Sequence, residues 1–458
     1  MKRVAGSFRD PSGYVYESEQ GLLRAVTSSY AEEYEALTAS GLIAKLVDRG
    51  LVLPFEEVQD AGTGAWRTLK PTRLPFISYP YEWSFGQLKD AALATLDIQL
   101  AALEKGLWLK DATAYNIQFW QGKPVLIDHL SFGSERPGAW PAYRQFGVHF
   151  LAPLALRADV DLRSGLLLKN HLDGIPLDYA SRMLPRSTWM NPRLFAHLHL
   201  HARLENKYSD TRSADLKQAR TKIRQSSVST QTLQNLAHSL RAAVEAQQPP
   251  VVKTEWGDYY TDTNYTPEAF AFKKDAVSRI VAKFAPARAC DLGANNGEFS
   301  RVLAEHAQLV ISSDIDPVAV HRNYERARSK GETKLLPVLQ DICNPSPGLG
   351  WAGEERSGFL DRARCDFVMG LALIHHLCIG NNVPLGYVAQ VFRRLSPVAL
   401  LEFVPKEDSQ VQRLLSARED IFPDYNLEKC IEAFRDQYAS VERIPIPGSC
   451  RTLLVFSS

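Results

Sequence analysis

Five short apolar segments separated by helical stretches constrain the fold of this chain more than any other feature. The segments are ACDLG, LVISSD, LLPVLQD, CDFVMGL and VALLEFV, which begin at residues 289, 309, 335, 365 and 398. Strands that alternate with helices in this way predict a parallel, doubly wound α/β sheet. The tail YASVERIPIPGSCRTLLVF instead predicts two strands joined by a Pro-Gly turn, which would form an antiparallel edge.

The composition of the whole chain limits the classes of partner. With 458 residues the chain exceeds what one hydrophobic core usually organises, so two or three domains are expected. A formal net charge of +1 gives no electrostatic reason to expect nucleic acid or a membrane surface as a partner. No apolar run approaches the ~20 residues that cross a bilayer, and we expect a soluble, cytoplasmic protein. All six cysteines follow residue 289 without a C-x-x-C pair, so neither a disulfide framework nor a zinc knuckle is predicted.

Changes in composition and in the spacing of apolar residues divide the chain into three regions. The middle region is polar, has apolar residues at helical spacing and contains a Pro pair near its end, which predicts a helical connector. Before it, a strand-like stretch, LLRAV, and Ala- and Leu-rich helical segments predict an α+β domain, and SFRDPSGYVY predicts a hairpin that turns at Pro-Ser-Gly. The predicted regions are the α+β domain 1–205, the connector 206–254 and the α/β domain 255–458.

The first of the five strands ends in a glycine-rich turn, Asp291-Leu-Gly293-Ala-Asn-Asn-Gly297. Glycines at a strand-to-helix turn allow the backbone to approach a ligand, while the amides and dipole of the helix face it. The turn lacks the G-x-G-x-x-G pattern of a dinucleotide site and begins with an acidic residue. That residue suits the ammonium and sulfonium of S-adenosylmethionine better than the two phosphates of NAD, so the turn favours S-adenosylmethionine.

Acidic residues follow at the ends of the next two strands. Asp314 lies roughly twenty residues after the glycines, where a carboxylate can accept both ribose hydroxyl protons. Asp316 is predicted to cap the following helix, with Pro317 as its first residue. Asp341 could bind the adenine amino group, with Ile342 packed on the ring. The alternative is that the glycines only close a tight turn and the aspartates only cap helices, and the ordered set weighs against it.

These motifs resemble, in their order, those of class I (Rossmann-like) S-adenosylmethionine-dependent methyltransferases. Within that class, the chain resembles the nodulation-protein (NoeA-related) methyltransferases in the strings WGDYYTDTNYT, DLGANNGEFSRVLA, DIDPVAVHRNY, NPSPGLGW, LALIHHLCIGNNVPL and EFVPKEDSQVQRLLSAREDIFPDY. The resemblance implies a seven-stranded doubly wound sheet, methyl transfer and S-adenosyl-L-methionine as the cofactor, and it fixes no acceptor. The residues predicted to bind the cofactor are Asp291, Gly293, Asn295, Gly297, Asp314, Asp341, Ile342 and Leu371.

Methyl transfer needs a base only when the nucleophile has a proton to lose. His375 and His376 follow the fourth strand, at the sheet edge where this fold places its reaction centre, and are candidates for a general base. Glu402, at the end of the fifth strand, is a second candidate. The alternatives are structural histidines at a helix start and a salt bridge from Glu402 to Lys406. No metal site is predicted, because adjacent histidine side chains usually diverge.

An aromatic, polar stretch precedes the methyltransferase-like region. It contains Trp256, Tyr259, Tyr260 and Tyr265, which we predict to bind the substrate and close over the cofactor, with ring faces toward the sulfonium methyl group. Ordinary packing at a seam between domains is the alternative, and the sequence favours neither.

The amino-terminal region has a second resemblance. Asp111 and Asn116 stand five positions apart, like the catalytic Asp and metal-binding Asn of a protein-kinase or aminoglycoside-phosphotransferase loop, and Asp128 follows near a metal-binding position. Leu109 replaces the expected His, Arg24 stands where a strand Lys is expected, and no G-x-G-x-x-G loop precedes it. A kinase-like fold without established phosphoryl transfer is predicted, with a coincidental D-x4-N in an unrelated α+β domain as the alternative.

Together these features predict a methyltransferase that acts on a hydroxyl of a small-molecule or carbohydrate acceptor, which the amino-terminal domain would position. A catalytically silent cofactor-binding scaffold and a bifunctional kinase-methyltransferase are the alternatives. The sequence leaves the acceptor atom open among O, N and S and assigns no oligomeric state.

Overall fold

A computed structural model describes residues 1–60, 62–136, 138–209, 228–252, 265–416 and 418–458. The chain divides into an amino-terminal unit, Met1–Val251 with Leu349–Arg356, and a carboxyl-terminal unit, Val252–Gly348 with Ser357–Ser458. A short segment of the later sequence therefore belongs to the amino-terminal unit. There Glu355 accepts a hydrogen bond from Arg9 Nε at 2.6 Å.

An antiparallel five-stranded sheet begins the amino-terminal unit. Its strands are β1 (Lys2–Arg3), β2 (Gly13–Ser18), β3 (Gly21–Val26), β4 (Phe55–Val58) and β5 (Arg67–Pro71), in the order β1-β2-β3-β5-β4. The predicted strand LLRAV is part of β3. The hairpin predicted at SFRDPSGYVY is found in part, because β1 pairs antiparallel with β2 through a connection that contains Pro11 and Ser12, but SFR forms no strand. A second, tighter hairpin turns between Ser18 and Gly21 and was not predicted. At this second turn Gly21 has a φ of 101°, which glycine adopts without steric cost.

Two further strand pairs and nine described α-helices, with short 3₁₀ and π helices between them, complete this unit. The strands are β6 (Leu107–Leu109), β7 (Ile117–Trp120), β8 (Lys123–Leu126) and β9 (Phe132–Ser134). Strand β6 pairs with β9, and β7 pairs with β8, both antiparallel. The helices are α1 (Ala31–Ala39), α2 (Leu42–Asp48), α3 (Phe85–Leu103), α4 (Tyr143–Phe146), α5 (Ala152–Asp159), α6 (Leu177–Met183), α7 (Pro192–Leu194), α8 (Leu200–Ser209) and α9 (Thr230–Ala246). The predicted α+β class of this region is confirmed.

Helix α9 lies within the stretch predicted as a connector, 206–254, and packs on α3 of the amino-terminal unit. Its apolar positions, among them Leu233 and Val244, are buried at helical spacing. Lys89 Nζ of α3 donates to the carbonyl oxygen of Gln247 at 2.7 Å, just after α9 ends. A lysine at this place satisfies carbonyl groups that the helix itself leaves without a partner.

A seven-stranded sheet forms the centre of the carboxyl-terminal unit. Its strands are β10 (Arg288–Leu292), β11 (Leu309–Asp314), β12 (Leu335–Leu339), β13 (Phe367–Gly370), β14 (Val398–Phe403), β15 (Ser440–Pro445) and β16 (Thr452–Ser457). The order is β12-β11-β10-β13-β14-β16-β15; β16 is antiparallel to both neighbours, and the other neighbouring pairs are parallel. The five predicted strands and the antiparallel tail are confirmed. Because the chain direction across the sheet reverses after β12, a ligand crevice is expected at the carboxyl ends of β10 and β13.

Helices connect these strands. They are α10 (Pro267–Phe284), α11 (Glu298–His306), α12 (Pro317–Lys330), α13 (Phe359–Arg362), α14 (Leu385–Leu395), α15 (Ser409–Leu415) and α16 (Leu427–Arg435). The amphipathic helix expected before the first strand is α10, whose Val277 and Val281 are fully buried in the core of the unit. None of the helices in the described ranges is both long and apolar enough to cross a membrane.

Candidate functional site

The glycine-rich turn after β10 has a left-handed backbone. Gly293 and Gly297 have φ values of 72° and 77°, and Asn295 between them has a φ of 51°. The backbone N–H groups of Gly293 and Ala294 both donate to the carbonyl oxygen of Ser313 at 2.9 Å, which fixes the turn against the end of β11. Glycine adopts such angles without the steric penalty that a side chain brings.

The two glycines of the turn have different surroundings. A Cβ atom on Gly293 would lie 3.1 Å from Leu373 Cδ1, beside a cavity that both residues line. A Cβ atom on Gly297 would overlap the side chain of Asn323, and Gly297 caps α11. Gly293 therefore leaves room at the cavity, whereas Gly297 allows two helices to approach; a contact of Gly297 with the cofactor stays a prediction.

Asp314 links the turn to the end of β11. Its carboxylate accepts from the backbone N–H groups of Asn295 at 2.7 Å and Asp316 at 2.8 Å. Asp316 caps α12, since its carboxylate accepts from Val318 N–H at 2.8 Å and Pro317 is the first helical residue. This cap was predicted from the sequence and is confirmed.

A cavity of about 250 Å³ lies at the carboxyl ends of the parallel strands. Seven of the eight residues predicted to bind the cofactor line it, namely Asp291, Gly293, Asn295, Asp314, Asp341, Ile342 and Leu371. Residues that the sequence did not single out also line it, among them Phe270, Lys273, Phe299, Ser313, Gln340 and Cys343. The cavity brings the predicted set together, and cofactor binding by that set stays a prediction.

Two of the carboxyl groups in the cavity have perturbed acidity. Burial raises the pKa of Asp291 to about 7, against a hydrogen bond from Ser300 Oγ at 2.6 Å. Burial raises the pKa of Asp314 to about 6, against the backbone N–H groups of Asp316, Asn295 and Ile315, which donate to it. A bound cation stabilises the ionised form of such carboxyl groups. The cavity is therefore suited to a positively charged ligand.

The two histidines lie at the start of a π-helical turn, His376–Gly380, with their ring centroids 4.0 Å apart. His376 lines the cavity, whereas His375 is 1% exposed and is not among the described lining residues. Burial, with Arg451 adding to the effect, lowers the pKa of His376 to about 4. Burial also lowers the pKa of His375 well below its usual value. Both rings are neutral at pH 7, and His376 is the one in reach of a ligand.

Glu402 is fully buried at the end of β14 and is absent from the described lining of the cavity. It accepts from Lys273 Nζ at 2.7 Å, from the hydroxyl of Tyr265 and from the backbone N–H of Ala372. Burial raises the pKa of Glu402 to about 7, opposed by the guanidinium of Arg451. Because these donors already bind the carboxylate, the surroundings of Glu402 favour a role in holding neighbouring residues of the cavity wall in place. The role of Glu402 as a base stays a prediction.

The alternative interpretation of Glu402, a salt bridge to Lys406, is wrong. Lys406 Nζ instead pairs with Asp420 at 2.7 Å. The spacing suggested one helical turn, but α15 begins only at Ser409, so Glu402 and Lys406 do not share a helix.

The aromatic residues predicted to bind the substrate are only partly described. Trp256, Tyr259 and Tyr260 lie outside the described residues, and their roles stay predictions. Tyr265 lines the cavity. The guanidinium of Arg451 lies 4.8 Å from the centroid of its ring, and the hydroxyl of Tyr265 donates to the buried carboxylate of Glu402.

The kinase-like residues lie on loops between the short strands of the amino-terminal unit. Asp111 and Asn116 lie between β6 and β7, and their side chains form a hydrogen bond. Asp128 lies between β8 and β9 and forms a buried ion pair with Arg24 of β3. A kinase-like fold of this unit stays a prediction. The guanidinium of Arg24 pairs with the carboxylate of Asp128, which a kinase would use to bind a metal ion.

Among the residues that the structure describes, no group of three or more His, Cys, Asp or Glu side chains is arranged to hold a metal ion. The most informative residue that sequence reasoning missed is Lys273. It lies in an ordinary amphipathic helix, and only its distance of 2.7 Å to Glu402, from a strand far along the chain, reveals its position.

Comparison with known proteins gives one relative that spans the chain. The nodulation protein NoeA of Rhizobium meliloti (strain 1021) is 37% identical over 463 residues, which covers 99% of this chain and 96% of that protein. No protein-family model matches the chain.

Several solved structures share a local likeness. The N-methyltransferase NodS from Bradyrhizobium japonicum WM9 is 14% identical, over 42% of this chain and 96% of that chain, with a TM-score of 0.31. Magnesium protoporphyrin IX methyltransferase (ChlM) from Synechocystis PCC 6803, with bound SAH, is 18% identical, over 43% and 91%, with a TM-score of 0.30. The bifunctional kinase-methyltransferase WbdD is 16% identical, over 46% of this chain and 45% of that chain, with a TM-score of 0.29. At these scores the fold assignment rests on the strand order.

That strand order, with its reversal after β12 and its one antiparallel strand, is the order expected of a class I methyltransferase. The identity to NoeA extends over nearly the full length of both chains. The protein therefore belongs to the family of the nodulation protein NoeA, with an α+β amino-terminal unit and a carboxyl-terminal unit that has the strand order of the class I methyltransferase fold.

Proposed function

We propose that the carboxyl-terminal unit transfers a methyl group from S-adenosyl-L-methionine to a hydroxyl of a small-molecule or carbohydrate acceptor. The observation that carries this proposal is the cavity in which Asp291, Asp314 and Asp341 lie along three adjacent strands. Carboxylates in this order suit an ammonium group, ribose hydroxyls and an adenine amino group.

The backbone of the turn and the orientation of the carboxylates also support this cofactor. Gly293 leaves the backbone open where a side chain would crowd Leu373. The carboxylates of Asp314 and Asp341 are oriented by backbone N–H groups, in Asp341 by that of Cys343 at 2.8 Å. Bound S-adenosyl-L-methionine would supply a methyl group that its sulfonium already activates. The protein then has to position the acceptor and exclude water.

His376 is the group that we assign to the proton of the acceptor. The neutral imidazole of His376 would accept the hydroxyl proton of the acceptor, while the bound cofactor would supply the methyl group and keep the electrons of its carbon–sulfur bond on sulfur. Because burial lowers the pKa of His376 to about 4, the ring is a weak base. Proton transfer therefore accompanies bond formation and does not precede it. His375 lies behind His376 and supports its orientation.

The amino-terminal unit, in this proposal, binds the acceptor without phosphorylating it. A bifunctional enzyme would need Asp128 as a metal ligand, which requires that its buried ion pair with Arg24 be broken. Separating a buried pair of this kind costs about 3–5 kcal/mol. A catalytically silent scaffold would also need the cavity, but it would give no reason for the neutral imidazole of His376 on the cavity wall.

Two titrations and one transfer assay separate these functions. Calorimetry with S-adenosyl-L-methionine should show binding, and calorimetry with ATP and magnesium should show none. Incubation with methyl-labelled cofactor and a mixture of small hydroxylated metabolites and glycans should label one class of acceptor. Binding without label transfer to any hydroxyl would support the scaffold, and magnesium-dependent ATP binding would support the bifunctional enzyme.

A further inference from the structure

Lys273 is an exception in the charge pattern of the cavity. Among the described residues that line it, Lys273 is the one Lys or Arg, beside the carboxylates of Asp291, Asp314 and Asp341. Its side chain is 3% exposed. A buried ammonium is unfavourable unless anions and acceptors compensate for the lost water. Neither ribose hydroxyls nor an adenine amino group gives a reason for a cation at this place.

The hydrogen bonds of Lys273 leave capacity for a ligand. Its ammonium has three N–H groups. It donates to Glu402 Oε2 at 2.7 Å and to Tyr265 Oη at 3.2 Å. The ring centroid of Phe299 lies 4.6 Å from Nζ, on the cavity lining. Two donors thus have acceptors within the described residues, and the third is available to a group in the cavity.

Charged groups on neighbouring elements fix the position of this ammonium. Arg451, just before β16, lies 3.8 Å from Glu402 and pairs with Asp408 at 2.7 Å. Lys273, Glu402, Arg451 and Asp408 thus form a buried group that ties α10, β14 and the start of β16 together. Burial and Arg451 lower the pKa of Lys273, whereas Asp291 opposes this effect. Glu402, which also accepts from the N–H of Ala372, holds Lys273 in place within this group.

Asp291 lines the same cavity and raises the pKa of Lys273, so the two groups lie within electrostatic range of each other. A cation and a carboxylate side by side are complementary to an α-amino acid, which carries an ammonium and a carboxylate on one carbon. We propose that Lys273 binds the carboxylate of the cofactor's amino-acid end and makes the cavity selective for nucleosides that carry an intact α-amino acid. This inference rests on the proposed function, and it assigns Lys273 a part in binding and Glu402 the part of a positioning residue.

The wild-type chain provides the first test. Calorimetry compares S-adenosylhomocysteine with its decarboxylated derivative, which lacks only the carboxylate. S-adenosylhomocysteine should bind about 10- to 100-fold more tightly, as expected for one charge-assisted hydrogen bond. Equal affinities would overturn the inference while the proposed function stands. Failure of both ligands to bind would overturn the proposed function itself.

A pair of neighbouring lysines provides the second test. Lys273→Met should weaken binding of S-adenosylhomocysteine about 10- to 100-fold and leave binding of the decarboxylated ligand as tight as before or tighter. Lys274→Met is the matched control, because Lys274 pairs with Glu298 and is not among the described lining residues; it should change neither affinity. An equal loss for both ligands in Lys273→Met would assign Lys273 a purely structural role and overturn the inference.

Removal of Lys273 alone leaves Glu402 buried with fewer cations, so the double variant Lys273→Met/Glu402→Gln is measured beside it. The double variant removes both charges and should retain the near-native melting temperature that the single variant can lose. Its discrimination between the two ligands should still be lost. Full discrimination in a folded double variant would overturn the inference.

Discussion

The carboxylate of Asp314 accepts the backbone N–H of Asn295 at 2.7 Å, so the acidic residue at the end of β11 orients the glycine-rich turn that follows β10. The same carboxylate lines the cavity. Asp314 therefore combines a part in the turn with its proposed contact to ribose. A substitution must separate these two parts.

Asp314→Asn separates them, because asparagine retains one oxygen acceptor for the turn but loses the charge. We predict that this variant binds S-adenosylhomocysteine at least 10-fold more weakly, since hydrogen bonds to a charged acceptor are worth ~1.5–3 kcal/mol. The melting temperature should fall by only a few degrees. Calorimetry and thermal unfolding measure the two effects, with Asp361→Asn, at an exposed ion pair of the same unit, as the control. Near-native affinity of Asp314→Asn for S-adenosylhomocysteine would mean that Asp314 only orients the turn and does not bind the ribose.

The affinity for S-adenosyl-L-methionine should rise with pH between about pH 5 and 7 and then level off. Burial raises the pKa of Asp314 to about 6 and that of Asp291 to about 7, and a cationic ligand favours their ionised forms. Binding in this window should therefore release protons. Calorimetry in two buffers of different ionisation enthalpy measures the release. An affinity that is constant across this range would contradict the predicted contact between these carboxylates and the cofactor.

The same two groups predict the pH dependence of stability in the free protein. Their pKa values are raised on folding, so the folded state binds more protons than the unfolded state above the unfolded value near 3.9. Their contribution to the free energy of unfolding should fall as pH rises toward 6 and 7. Bound cofactor should reduce this fall.

Gly293→Val should abolish detectable cofactor binding, because the side chain would crowd Leu373 and enter the cavity. Its left-handed φ adds a loss of stability of about 1–2 kcal/mol. Gly331→Val is the matched control: Gly331 has a φ of 64°, and a Cβ atom there would meet nothing within 4 Å. Both variants should therefore lose stability, measured by thermal unfolding, and only Gly293→Val should lose binding. Equal cofactor affinity in both variants would mean that the glycine-rich turn is not part of the cofactor site.

His376→Ala should lower the turnover by about 10²–10⁴-fold with little change in cofactor affinity, as expected for loss of a positioned base. The wild-type rate should stay level from about pH 6 to 8, because burial and Arg451 lower the pKa of His376 to about 4 instead of the usual ~6.5. Single-turnover rates on the labelled acceptor test both statements, with the half-buried His306 replaced by Ala as the control. A loss of cofactor affinity in His376→Ala would instead indicate a structural histidine.

Local sequence patterns were sufficient to predict the carboxyl-terminal sheet. The five parallel strands are continuous apolar runs, and the Asp316–Pro317 cap depends on residues that are neighbours in the chain. The turn between Ser18 and Gly21 was missed, because the Pro-Ser-Gly stretch in the neighbouring β1–β2 connection has the stronger turn composition.

Contacts between distant residues were not predictable from one sequence. Lys273 and Glu402 lie on α10 and β14, and no local spacing indicates that they form an ion pair. Arg24 was recognised as a replacement for a strand lysine, but its ion pair with Asp128 appears only in the folded unit. Likewise, Gly297 matched the cofactor pattern, although its nearest neighbour is the side chain of Asn323.

Titration of the purified chain with S-adenosyl-L-methionine tests the central claim, that the cavity at the carboxyl ends of the parallel strands holds this cofactor, most directly. The prediction is saturable binding of one ligand per chain that is weakened in Asp314→Asn, lost in Gly293→Val and retained in Gly331→Val. NAD should not compete. Absence of binding by the wild-type chain, or binding that Asp314→Asn and Gly293→Val leave unchanged, would contradict the claim.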